Sequence, residues 1–225
     1  MKQLFELINK NVYLSQLSHF LKRKKSEKVE PLITISREFG SSGSVIAQNV
    51  AKKLGKKWRV LNEEIVNQIS KEFNLDKSMI RDVDEGKISA FDEIVEDFLG
   101  IPRVSLGKYS KYLAQVFSPI GKRGYAIVVG RGADYFLPNA LKIRIMGDMD
   151  YRIKTIMKYK NVDLNKAKQL IEIADKKGTA FIKELFHHDP RKAHHYDITI
   201  VTSKNFLPNE VSHLISQAAK KHFKL

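Results

Sequence analysis

Five short runs rich in β-branched and other apolar residues, spaced by helix-length segments, constrain this chain more than any other feature of its sequence. Leu32-Ile33-Thr34-Ile35-Ser36, Trp58 to Leu61, Tyr125 to Val129, Leu141 to Met146 and Tyr196 to Val201 read as strands. Helical periodicity fills Val45 through Leu54, Asn62 to about Phe73, about Asp150 to Lys160 and Asp163 to about Phe186, and Pro208-Asn209-Glu210 opens a terminal helix. The strands are apolar rather than alternating, so the expected fold is an α/β parallel sheet buried on both faces. Residues 76–120 read as several helices with breaks near Gly86, Gly100-Ile101-Pro102 and Pro119, a helical insert between the second and third strands.

Charge and composition narrow the chemistry. The 225 residues contain 40 Lys+Arg against 25 Asp+Glu, a net charge of +15 that attracts phosphates in nucleotides, nucleic acid or anionic lipid alike. With no cysteine, disulfide scaffolds, thiolate metal sites and cysteine nucleophiles are excluded. Lys2, Glu6 and Lys10 interrupt any apolar signal core, and no run approaches a membrane span, so a cytoplasmic protein is expected. Residues 1–30 form a separate unit in this reading. Leu4, Leu7, Ile8, Leu14, Leu17 and Leu21 make an amphipathic helix, followed by the basic linker that begins Lys22-Arg23-Lys24-Lys25. Its apolar stripe needs cover from the main domain, from a second subunit as in a homodimer, or from a membrane surface; the position of the basic cluster disfavours the last.

Ligands of open α/β sheets lie beyond the carboxyl ends of the strands. The first such loop is Arg37-Glu38-Phe39-Gly40-Ser41-Ser42-Gly43-Ser44, whose small residues let backbone N–H groups converge on an anion at the positive end of the next helix. It is not a regular Walker A sequence. With the hydroxyl residue on Ser44, Gly43 stands in the lysine position, Ser42 in that of the second glycine and Arg37 in that of the first. Only the hydroxyl that would ligate Mg²⁺ is retained, and a helix-capping turn is the alternative reading. Arg131, in a Gly-Arg-Gly turn after an apolar strand, can offer a planar fork to phosphate or a salt bridge to a neighbouring helix. The tract His187-His188 to His194-His195 reads as a polar loop.

The segment Ile33 to Ala47 resembles the opening ITISREFGSGGSxIA of the cytidylate kinase-like family, a branch of the P-loop nucleoside monophosphate kinases that itself lacks the lysine. Leu61-Asn62-Glu63-Glu64-Ile65 is similar to that family's Y-D-x-E-L-I segment. Ile127-Val128-Val129-Gly130-Arg131-Gly132-Ala133-Asp134 is similar to its I-V-G-R-G-A-D, and Tyr196-Asp197-Ile198 to Ser203 to its Y-D-L-x-I-N-T-S. The resemblance implies a three-layer kinase fold over residues 31–225, with a substrate-binding insert at about 62–120 and a lid at about 163–195. It also implies ATP at the phosphate loop and a nucleoside monophosphate as partner. Where the family's lid carries D-x-R-R, this chain has Asp175-Lys176-Lys177-Gly178; two lysines neutralise charge but cannot clamp it bidentately.

These readings converge on a phosphotransferase moving the γ-phosphoryl of ATP to a nucleoside monophosphate, cytidylate-like, or a related small acceptor. Gly40, Ser41, Ser42, Gly43 and Ser44 are expected to cradle the phosphates, with Ser44 as the Mg²⁺ ligand. Arg37 and Arg131, with Lys176 and Lys177 from the lid, are expected to balance the charge of the transferred group. The alternative, resting on the missing lysine, the thin lid and the charge of +15, is a catalytically silent regulator of the same fold that binds nucleotide or nucleic acid.

Overall fold

A computed structural model describes residues 30–62, 106–130 and 132–225. The expected N-terminal helix, most of the expected insert including Glu63 and Glu64, and Arg131 lie outside the described residues. Among the described residues, the strands are β1 (Leu32–Arg37), β2 (Arg59–Leu61), β3 (Ala126–Val129), β4 (Leu141–Gly147) and β5 (Ile198–Thr202). They form one parallel sheet in the order β2-β3-β1-β4-β5. β1 is central, and its carboxyl end therefore opens between the ends of β3 and β4.

Helices cover both faces. On one face Ile33, Ile35, Ile127, Val129, Ile143, Ile145 and Ile200 pack against α1 (Gly43–Leu54) and α6 (Pro208–Phe223). On the other, Leu32, Ala126 and Val128 meet α2 (Leu106–Arg123), the single turn α3 (Ala133–Phe136) and the last turns of α5 (Leu164–Phe186). This is the helix, sheet, helix layering expected of apolar parallel strands. The remaining helix, α4 (Met149–Lys160), pairs with α5 through Ile153, Ile156, Ala167 and Ile171, and Phe39 of the β1–α1 loop packs against that pair. Both helices have side-chain caps: Asp148 accepts from Tyr151 N, and Asp163 from Lys166 N at 2.7 Å. Pro208 starts α6, where its missing N–H costs nothing.

The break expected at Pro119 does not occur; α2 runs through it to Arg123. Proline removes one helical hydrogen bond, but Val116, Phe117 and Ile120 on the same turns are buried, and Phe117 stacks on Phe136 with ring centroids 5.4 Å apart. Packing outweighs the local preference. Tyr125 was expected to begin β3, yet it has φ +48 and lies just before it, donating its N–H to Pro31 and accepting from Arg59 N. Tyr196 likewise precedes β5, which starts at Ile198.

Candidate functional site

At the end of β1 the chain turns sharply through Gly40, at φ +82, and Ser42, at φ +62, before entering α1. A side chain at position 40 would press on the backbone oxygen and Cβ of Arg152, which is a second reason for glycine there. Neighbouring elements anchor the turn. Glu38 N donates to Ile145 O at 3.0 Å, and Thr202 Oγ1 donates to Ser41 O at 3.2 Å. Ser42 Oγ and the Tyr151 hydroxyl share a 2.8 Å hydrogen bond. Ser41 is fully buried and its hydroxyl donates to Glu38 O at 2.8 Å, so its side chain braces the loop from inside. The first intrahelical bond of α1 runs from Ile46 N to Ser42 O, which leaves the N–H groups of Gly43, Ser44 and Val45 at the helix's positive end without an intrahelical acceptor. Ser44 is exposed there.

Arg37 crosses this loop. A Cβ at position 43 would lie 2.8 Å from the Arg37 Cβ and 3.0 Å from its Cγ, and a Cβ at position 130 would collide with the Arg37 guanidinium. The side chain therefore runs from the start of α1 to the β3–α3 turn, and two glycines make room for it. In that turn Gly130 and Gly132 have φ +80 and +63, conformations that favour glycine, and Arg131 lies between them in the chain. Lys176 and Lys177 lie within α5, the first exposed and the second half-buried.

Beneath the loop is an ion-pair network that sequence reasoning missed. Glu38 faces Arg144 at 3.8 Å and Arg152 at 3.4 Å, and also accepts from Gly147 N at 3.0 Å. Arg144 Nη1 donates to Ser36 Oγ at 2.8 Å. Arg152 donates through Nε to Phe39 O and through Nη2 to both oxygens of Asp175, each at 2.7 Å. One signal was available. Arg144 stands between Ile143 and Ile145 in a strand that β1 and β5 flank, a position a charged group occupies only when it is paired.

Farther along the same face Asp134 and Tyr196 are inward-facing. Burial pushes the Asp134 carboxyl up against the opposing pull of its own backbone N–H and of Lys142 and Arg144. Burial also raises the Tyr196 phenol, whose hydroxyl donates to Pro190 O at 3.0 Å. The histidine tract follows α5: His188 contacts the Tyr135 hydroxyl, Tyr135 stacks on Phe186, and His195 lies between His188 and His194. No group of three or more metal-ligating side chains is arranged for a metal ion among the described residues. Burial, reinforced by repulsion from His195, holds His188 down to about 4 despite the opposing charge of Asp189. Because this value lies below the ordinary imidazole range, the neutral ring's contribution is full near neutrality and is lost as pH falls toward about 4. Melting temperature should therefore drop across that acid window, and His188→Gln should reduce the slope.

Residues 32–204 match the cytidylate kinase-like family. Among solved structures, an uncharacterized protein from Eubacterium ventriosum superposes with a TM-score of 0.59 at 19% identity, covering 85% of this chain and 99% of that one. A shikimate kinase from Acinetobacter baumannii in complex with shikimate is more distant, with a TM-score of 0.49 at 11% identity over 86% of this chain and 94% of that one. No curated protein matches. Among the described residues no helix is long and apolar enough to cross a membrane. The family match spans all five strands and both left-handed turns at their carboxyl ends, and the first of these structures has the same overall fold: the chain belongs to the cytidylate kinase-like family.

Proposed function

We propose that this protein transfers the γ-phosphoryl group of ATP to a nucleoside monophosphate or a related small acceptor. The observation that carries the reading is the path of Arg37, which spans from the N-terminus of α1 to the Gly130 turn at the end of the neighbouring strand. A guanidinium there can stand in for the missing lysine between donor and acceptor phosphates. The backbone of Gly40, Ser41, Ser42, Gly43 and Ser44 would surround the donor's phosphates, and Arg131 would meet the acceptor's. Lys176 and Lys177 would approach from the lid. An oxygen of the acceptor attacks the γ-phosphorus, the bond to the β-phosphate oxygen breaks, and ADP leaves carrying that oxygen; positioning and charge supply most of the catalysis.

Mg²⁺ fits this site as a companion of the triphosphate, since it keeps waters and phosphate oxygens as ligands and needs little more than one hydroxyl from the protein. The exposed Ser44 hydroxyl in the first turn of α1 suits that role. When bound, the ion would neutralise charge shared by the β- and γ-phosphates. Ser44→Ala should accordingly weaken Mg-ATP far more than metal-free ATP in calorimetric titrations; equal losses would remove Ser44 from the metal's surroundings.

The deciding assay is a screen of nucleoside monophosphates and small alcohols for ATP-dependent phosphorylation. Turnover with one acceptor supports the reading. No turnover, together with a polynucleotide affinity that falls steeply with salt, would favour the silent regulator instead.

A further inference from the structure

Arg152 has a position that phosphate binding alone does not explain. Its side chain is 4% exposed and lies in a slot with no room for side chains on two residues: a Cβ at Gly147 would sit 2.5 Å from its Cγ, and one at Gly40 would sit 3.2 Å from its Cβ. Within that slot one planar guanidinium serves three groups on two elements at once. Nε holds the Phe39 carbonyl of the phosphate loop, Nη1 faces Glu38 of the same loop, and Nη2 grips both carboxylate oxygens of Asp175 in α5. A rigid fork with fixed donor directions sets the separation of its acceptors, which a lysine ammonium cannot do.

We propose that Arg152 is a positioning residue that couples the phosphate loop to the lid helix, so that the Arg152–Asp175 pair links phosphate affinity at the loop to the placement of Lys176 and Lys177. The proposal rests on the reading of the loop as a phosphate site. Its physical basis is a charge balance. Glu38, Asp175, Arg144 and Arg152 form a nearly neutral group beneath the loop, and Asp175, at 35% side-chain exposure, is the member most open to solvent. Removing its charge leaves two guanidiniums facing one carboxylate, and their excess positive field favours phosphate in the loop. The same change frees α5 from its anchor immediately before the lid lysines. Ground-state binding and turnover should therefore move in opposite directions, whereas a residue that only supports folding would weaken both.

The test uses the full-length protein with Asp175→Asn and Asp175→Glu. For Asp175→Asn we expect ATP to bind about five-fold more tightly in titration and turnover to fall about ten-fold. Tryptic cleavage after Lys176 and Lys177 should accelerate, and Asp175→Glu should restore part of each effect. Unchanged affinity, turnover and cleavage overturn the proposal. So do parallel losses of affinity and turnover that track a lowered melting temperature. Failure of the underlying reading appears separately, in the unsubstituted protein, as no ATP binding at all.

Discussion

Glu38→Ala is expected to lower the stability of the protein by about 3–5 kcal/mol, the usual cost of removing one partner from a buried ion pair. Arg144 and Arg152 are both buried, and Glu38 is the carboxylate between them. Asp175 would still accept from Arg152 and Ser36 from Arg144, but the charge closest to the loop would be lost along with the acceptor for Gly147 N. Glu38→Gln keeps an acceptor for that N–H and should cost less. The midpoint of a urea melt, compared across the three proteins, measures the difference. A shift below about 1 kcal/mol for the alanine variant would mean that the network behaves as an exposed one.

Arg131→Ala is expected to reduce turnover by about 10²–10³-fold, the scale seen when one preorganised donor to developing charge is lost. Gly130 and Gly132 on either side hold left-handed conformations at the end of β3, next to the central strand. The turn they form receives the guanidinium of Arg37, and Arg131 lies between the two glycines in the chain. The melting temperature should stay near that of the unsubstituted protein. Retained turnover with a lowered melt would assign Arg131 to a salt bridge instead.

Much of this architecture is legible along the chain because its signals are local. Continuous β-branched runs mark parallel strands whose neighbours cover both faces, and the small residues of Gly40 to Ser44 mark a turn that bulky side chains could not follow. The resemblance of Ile33 to Ala47 and of Ile127 to Asp134 extended this to the family, which the match over residues 32–204 bears out. Local pattern also misled. Pro119 looks like a helix end when read with its immediate neighbours, yet the apolar residues around it have a sheet to pack against and α2 continues.

What the amino-acid sequence by itself determined was therefore the alternation of strand and helix, the turn of small residues after β1 and the kinase-like family. Only the tertiary structure decided that Ser41 turns inward, that Arg37 reaches the Gly130 turn, and that Glu38, Arg144, Arg152 and Asp175 form one network. The reason is the range of the forces involved. Propensity and periodicity act over a few residues, whereas Arg152 meets the Phe39 carbonyl across a sequence separation of 113 residues. That meeting exists because parallel strands place their carboxyl ends, and the loops that leave them, on the same edge of the sheet.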